Sequence, residues 1–316
     1  MINFPKITDI DVSGKRVLLR LDLDTNPDPN DLRIIAAEET LNYLKEKQAK
    51  IIIISHRGRP NGVYDDNLSL KEFQPIFAKW GAEVRENLRF NKGEEENSQG
   101  FTQELASLGD VFVNEAFAAS HREHASIVGV PKLLPHTAGL RFTQEVANLS
   151  KVFENPQRPV VTIVGGVKED KLAYLNALAE ISDRVLVGGA LPNFIPDESG
   201  YRTNPKFLIA NLNPDKEDIT IRSMENFEVE IAKAGTILLI GPMGKYEDEG
   251  HLMGTKRVFE AVVASAAFKI AGGGDTLRAV NSLGLAQKFN WLSVGGGAAL
   301  EFITKKTLPG IEALIT

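Results

Sequence analysis

Five cationic side chains lie between Val17 and Arg122, each in a short segment that reads as a strand end or the loop after it. They are Arg33 in Asn30-Asp31-Leu32-Arg33-Ile34, His56 and Arg59 in Ser55-His56-Arg57-Gly58-Arg59-Pro60, Arg89 in Glu86-Asn87-Leu88-Arg89-Phe90, and Arg122 in Ser120-His121-Arg122-Glu123-His124. On a chain of net charge -6, this set points to capture of a small, highly charged anion. Guanidinium forks pair bidentately with phosphate and carboxylate, a geometry lysine does not reproduce. Any one of these arginines reads equally well as surface solvation. Their recurrence at successive strand exits favours a ligand, because open α/β sheets bind ligands beyond the carboxyl ends of their strands.

The second half carries a different chemistry. Glycine-rich turns follow aliphatic runs at Gly165-Gly166-Val167-Lys168, Gly188-Gly189-Ala190, Gly272-Gly273-Gly274-Asp275-Thr276 and Gly295-Gly296-Gly297-Ala298. Where such a turn opens a helix, bare backbone N–H groups and the positive helix end hold phosphate oxygens. Glycine also ends strands without any ligand, but the clustering in one half favours phosphate binding. Neither Gly-x-x-x-x-Gly-Lys-Ser/Thr nor Gly-x-Gly-x-x-Gly with its acidic partner occurs. Lys168 and Lys171 flank Asp170, where a lysine can neutralise a transferring phosphoryl group. Asp275 suits Mg²⁺ beside nucleotide phosphates, and equally suits a helix N-cap.

The elements that position these residues are legible as alternating strands and helices. Aliphatic runs at 17–19, 51–54, 111–113, 160–164, 185–187, 237–240 and 269–271 are continuous rather than alternating, as in buried parallel strands. Amphipathic stretches at 35–47, 69–80, 170–181 and 256–268 fall between them, which predicts an α/β protein with parallel sheets. A length of 316 residues predicts two domains. Residues 143–159 read as a helix followed by a connector broken by Pro156 and Pro159, a natural seam. With Lys+Arg 36 against Asp+Glu 42, a general nucleic-acid or membrane-surface binder is disfavoured. The absence of cysteine excludes disulfides, thiol nucleophiles and cysteine-ligated metals. Met1-Ile2-Asn3-Phe4-Pro5-Lys6 lacks a signal-peptide pattern and no apolar run reaches membrane length, so a cytoplasmic protein is expected.

Taken in order, these segments resemble the phosphoglycerate kinase family. Arg20-Leu21-Asp22-Leu23-Asp24 is similar to that family's Arg-Val-Asp-Phe-Asn, and the segments around His56 and Arg59, around Arg89, and at Asn114-Glu115-Ala116-Phe117 to Ser126 resemble its substrate motifs. In the second half the matching pieces are Gly165 to Lys168, Gly241-Pro242-Met243-Gly244, Gly272 to Thr276, and Gly295 to Phe302 running on to Leu308-Pro309-Gly310. The resemblance implies two Rossmann-like lobes with parallel sheets, joined by a hinge helix about which they close. Residues 1–142 would bind 3-phosphoglycerate, 143–159 would form the hinge, and 160–316 would bind the nucleotide, with the last residues free to return to the first lobe. It implies a monomeric glycolytic enzyme that moves a phosphoryl group reversibly between 1,3-bisphosphoglycerate and ADP with Mg²⁺, giving 3-phosphoglycerate and ATP. Asp22 and Asp24 would face the glycerate, and His56, Arg59, Arg89 and Arg122 its phosphate end. Arg33 and Lys168 would stabilise the transferring group. Lys171 and the glycines would hold nucleotide phosphates, with Glu247 at the ribose and Asp275, beside Thr276, at the metal.

The chain also departs from the family pattern. Asp24 stands in place of an Asn, with Arg57 as a candidate partner, and Gly165 to Lys171 is one residue shorter than the family's Gly-Gly-Ala-Lys-x-x-Asp-Lys. Ile240, Val294 and Ala299 replace polar residues. The family's Met-Gly-Leu-Asp-Ile-Gly-Pro turn is missing and the shortening is placed between Gly189 and Ala234, which leaves the glycerate side nearly intact and the nucleotide side reduced. A phosphotransferase with another phosphate donor and a non-catalytic phosphoglycerate-binding protein are the alternatives. Retention of Arg33, Lys168, Glu247, Asp275 and Thr276 on both sides of the gap favours an enzyme.

Overall fold

The computed structural model describes residues 2–315 and consists of two parallel β-sheets with helices around them. The chain divides into two units. One holds the residues up to Ala147 together with those from Thr307 onward, and the other runs from Asn148 to Lys306. The division therefore falls inside a helix, Leu140–Ser150, whereas the sequence pattern sets 143–159 apart as a separate segment.

In the first unit, β1 (Arg16–Arg20), β2 (Lys50–Ile54), β3 (Glu83–Val84), β4 (Val111–Asn114) and β5 (His136–Ala138) form one sheet in the order β3-β2-β1-β4-β5. Its helices are α1 (Leu32–Glu46), α2 (Gln74–Phe77), α3 (Lys92–Glu95), α4 (Gln99–Ser107), α5 (Leu140–Ser150) and the late α11 (Pro309–Ile315). Alternate side chains point to opposite faces of a strand, so Val17, Leu19, Val111 and Val113 pack with Ile34, Leu41 and Leu44 of α1. Leu18 and Phe112 pack on the other face with Phe101 and Leu105 of α4. The expected helix at 69–80 is broken into 3₁₀ turns around the short α2.

The second unit has β6 (Val160–Val164), β7 (Arg184–Val187), β8 (Phe207–Ile209), β9 (Thr236–Ile240), β10 (Phe268–Gly272) and β11 (Trp291–Ser293), ordered β11-β10-β9-β6-β7-β8. Around it lie α6 (Leu175–Ile181), α7 (Ile221–Ile231), α8 (Met253–Ala264), α9 (Gly274–Ser282) and α10 (Gly297–Lys305). Val161, Ile163, Ile237 and Leu239 bury one face of this sheet against Phe227 of α7 and Phe259 of α8. Each such phenyl ring contributes about 1.5–3 kcal/mol by leaving water. The stretch expected to be helical to 268 stops at Ala264, and Phe268 opens β10 instead.

Strand ends and helix starts carry the polar residues. Asp31 caps α1 by accepting from the Arg33 backbone N–H at 2.8 Å, which fixes where Arg33 leaves the helix. Glu115, just past β4, is buried and accepts from Thr40 Oγ1, from Arg141 N–H at 3.1 Å and from Phe142 N–H at 2.8 Å. One carboxylate thus joins α1, the end of β4 and the first turn of α5, where the helix dipole favours negative charge.

Burial nevertheless pushes the Glu115 carboxyl up to about 7, against the pull of those hydrogen bonds. A folded-state value above the unfolded one means the native protein holds the proton longer. The contribution is complete below the unfolded value near 4.5 and is lost as pH rises through 7. Urea unfolding at a series of pH values should show Glu115→Gln removing a pH-dependent loss of up to about 3 kcal/mol between pH 5 and 7. Identical slopes for the two proteins would mean that the carboxylate is ionised throughout.

Candidate functional site

The cationic set converges at the carboxyl end of the first sheet. His56, 3% exposed, follows β2 and lies between two guanidinium groups: Arg20 Nη2 is 3.1 Å from its Nδ1 and Arg122 Nη1 is 3.0 Å from its Nε2. A neutral imidazole accepts at one nitrogen only, so one of these approaches sets donor against donor. Burial first, then Arg20, Arg89 and Arg122, pushes His56 well below its ordinary range. His124 is pushed down to about 4 by burial and by Arg89 and Arg122. Arg20, at the end of β1, is fully buried and lowered to about 10, still protonated at neutral pH.

Carboxylates and hydroxyls behind this cluster hold it in place. Arg20 Nε donates to Ser126 Oγ at 2.9 Å, and Glu94, itself buried, accepts from Ser126 Oγ at 2.6 Å and Ser126 N–H at 3.0 Å. Arg89 donates to Gly58 O at 2.6 Å and lies 3.1 Å from Glu95. Arg33 pairs with Asp22 at 3.4 Å and donates to Asp24 O. Asp24 accepts from Gly58 N–H at 2.8 Å and its other oxygen is 4.0 Å from His56 Nε2. Arg57 is not its partner: that guanidinium lies over Phe73 and reaches Glu72 and Asn26 at 3.5 Å. Arg59 is exposed on the same loop and has no hydrogen bond or ion pair among the described residues.

In the second unit the glycine turns divide into two kinds. Gly165 N–H is spent on Ile240 O, Gly166 on Pro242 O, Gly188 on Val164 O and Gly189 on Met243 O. A Cβ on Gly165 would lie 2.2 Å from Pro242 O, and one on Gly241 2.1 Å from Gly165 O. These glycines let three strand ends approach; their N–H groups are not turned to a ligand, contrary to the expectation for Gly165, Gly166, Gly188 and Gly189. The other two turns open helices. Gly273 (φ 97°, ψ 140°) precedes α9 and Gly296 (φ 54°, ψ -126°) precedes α10, conformations that a side chain would strain.

Between those two helix starts lies a cavity of roughly 210 Å³ lined by Lys168, Lys171, Gly273, Asp275, Thr276 and Gly296, with Ile240 and Leu300 among its apolar walls. Helix N-termini beside two lysines suit it to an anion, and its size fits phosphates better than a whole nucleotide. Lys171 is half-buried, donates to Gly165 O at 2.6 Å and is lowered by burial, while Asp275 and Asp170 oppose that shift. Thr276 Oγ1 accepts from Gly241 N–H and donates to Gly272 O, both at 2.7 Å, so its hydroxyl pins the turn. Gly295 N–H is 3.2 Å from Ser293 Oγ. Glu247 is exposed and does not line the cavity. Asp275 supplies one hard carboxylate oxygen, the donor Mg²⁺ takes from a protein when phosphates and water complete its shell. It is paired in this structure with Arg278.

Sequence reasoning does not assign Arg20, Glu94 or His124. An arginine closing an otherwise apolar strand is the available signal for Arg20. A buried cationic cluster on one α/β unit and a phosphate-sized cavity at helix starts on another are what a phosphotransferase requires. The family model for phosphoglycerate kinase matches residues 7–85, 82–212 and 209–306. The phosphoglycerate kinase of Baumannia cicadellinicola subsp. Homalodisca coagulata is 37% identical, with 98% of this chain and 97% of the relative covered, and that of Herpetosiphon aurantiacus is 33% identical with 99% of each covered. The solved phosphoglycerate kinase from Coxiella burnetii superposes with TM-score 0.85 at 30% identity, covering 99% of both chains. The chain belongs to the phosphoglycerate kinase family. It is a kinase with that family's role in glycolysis.

The aligned spans of 377 and 391 positions exceed the 316 residues here, so those relatives carry internal segments that this chain lacks. The family match runs in three successive ranges that overlap at 82–85 and 209–212.

Neutralising the guanidiniums around His124 should restore its affinity for a proton. With saturating inorganic phosphate, NMR titration should show the His124 midpoint moving up from about 4, so that phosphate binding takes up protons at pH 5. A midpoint unmoved by phosphate would show that the anion binds elsewhere.

Proposed function

We propose that the chain catalyses reversible phosphoryl transfer between 1,3-bisphosphoglycerate and ADP, binding 3-phosphoglycerate on the first unit and Mg-ADP or Mg-ATP on the second. The observation that carries the reading is His56 held between Arg20 and Arg122 in a cluster of cations, which is stabilised when an anion enters. We assign the phosphate end to His56, Arg59, Arg89 and Arg122, the glycerate to Asp22 and Asp24, and the transferring phosphoryl group to Arg33 and Lys168. Lys171, the turns Gly272-Gly273-Gly274 and Gly295-Gly296-Gly297, and the first turn of α9 at Asp275 and Thr276 hold nucleotide phosphates. Gly165, Gly166, Gly188 and Gly189 shape that site through their backbone approach. Glu247 faces the ribose. When bound, Mg²⁺ at Asp275 neutralises charge on the nucleotide phosphates. The side chains do no covalent chemistry; they position the reactants and stabilise charge. We further infer a cytoplasmic monomer. No helix among the described residues is long and apolar enough to cross a membrane.

Arg122 and Arg33 separate binding from transfer. Arg122→Ala should weaken 3-phosphoglycerate binding by about 1.5–3 kcal/mol, the value of a charge-assisted hydrogen bond, by calorimetry. Arg33→Ala should lower kcat by about a hundredfold with little change in KM, since its contribution is made mainly in the transition state. Unchanged affinity in the first variant, or normal kcat with raised KM in the second, would reassign that residue.

The shortened second unit bears on base recognition. The lined cavity is of phosphate size, and less apolar contact with the base leaves less to discriminate adenine from guanine. A coupled assay should give kcat/KM for ATP and GTP within about tenfold of each other, or ~1.4 kcal/mol. Strict adenine preference would place a rebuilt base pocket elsewhere in the unit.

A further inference from the structure

Arg278 stands one helical turn after Asp275 on α9, and its guanidinium pairs with the Asp275 carboxylate. The pair is exposed, 69% and 40% by side chain, so holding it contributes little and releasing it costs little. Arg278 Nη1 also lies 3.7 Å from where a Cβ on Gly274 would be, which puts the charge over the first residue of the helix start that lines the cavity. Tyr246, beside the exposed Glu247, acts on the same guanidinium and raises its affinity for a proton further. A permanent positive charge therefore occupies the one carboxylate assigned to the metal, at the mouth of the phosphate cavity.

We propose that Arg278 is a specificity-determining residue of the nucleotide site: it competes with the divalent cation for Asp275 and, without that cation, supplies the positive charge that nucleotide phosphates meet. The inference rests on the assignment of this cavity to nucleotide phosphates. A guanidinium forms a bidentate, charge-assisted contact with phosphate, so metal-free ADP loses a partner when Arg278 is removed. Mg-ADP loses none, and Mg²⁺ gains an uncontested carboxylate. A residue that merely stabilised α9 would weaken both ligands alike.

Calorimetry with ADP in excess Mg²⁺ and with ADP in a chelator, on the parent protein, Arg278→Ala and Arg278→Gln, tests this. The ratio of the metal-free Kd to the Mg-bound Kd should rise by about tenfold or more in both variants. A ratio that moves by less than about threefold, or falls, overturns the proposal while leaving the nucleotide site standing. A parent protein that binds ADP under neither condition overturns the nucleotide assignment and this inference with it.

Discussion

Everything on the first unit turns on keeping several positive charges together where water cannot screen them. Arg20 and Arg122 approach opposite nitrogens of one buried imidazole, and Arg89 adds to the same field. Left alone, such a cluster would repel itself apart or draw in water. It is held because Arg20 and Arg89 are tied behind the site to oxygens they cannot leave without loss: Arg20 to Ser126 and through it Glu94, Arg89 to Gly58 O and Glu95. The strand ends of β1, β2 and β4 place those ties. Repulsion between cations is thereby converted into affinity for an anion, without reorganisation at the moment of binding.

The same logic explains how the chain tolerates being shorter than its relatives. The successive ranges of the family match overlap at 82–85 and 209–212, beside β3 and the end of β8, which are both edge strands. An edge strand has one hydrogen-bonded neighbour, so trimming beside it leaves the interior ladders intact. Arg20, His56 and Ser126 follow the interior strands β1, β2 and β4, and Lys171 and Thr276 follow the interior β6 and β10, whereas Arg89 follows the edge strand β3 and the start of α10 follows the edge strand β11.

How much the sequence reveals depends on the same distinction. The seven aliphatic runs all lie in interior strands, because burial on both faces writes a continuous apolar pattern. The strands it does not reveal, β3, β5, β8 and β11, are the four edges, two or three residues long. Such segments carry too few side chains to establish a pattern. The cations are visible as types, but Arg20 is hidden at the end of an apolar run, and Glu94 and His124 act through burial that spacing does not report.

Glycine shows most clearly where residue type stops being informative. Gly165, Gly166, Gly188 and Gly189 look in sequence like Gly272 to Gly274 and Gly295 to Gly297, yet the first group spends its N–H groups on neighbouring strand ends, whereas Gly273, Gly274, Gly296 and Gly297 stand at helix starts. The element downstream of each turn decides between these fates. After Gly273 and Gly296 an α-helix begins at once, whereas Gly166 leads to a 3₁₀ segment from Glu169 and Gly189 to one from Leu191. A turn directly feeding a regular helix presents several parallel N–H groups with the dipole behind them. One feeding a tight 3₁₀ turn does not. The lysines fill that gap: Lys168 stands just before the first 3₁₀ segment and Lys171 within it, and both bring side-chain charge to the cavity where backbone donors are missing.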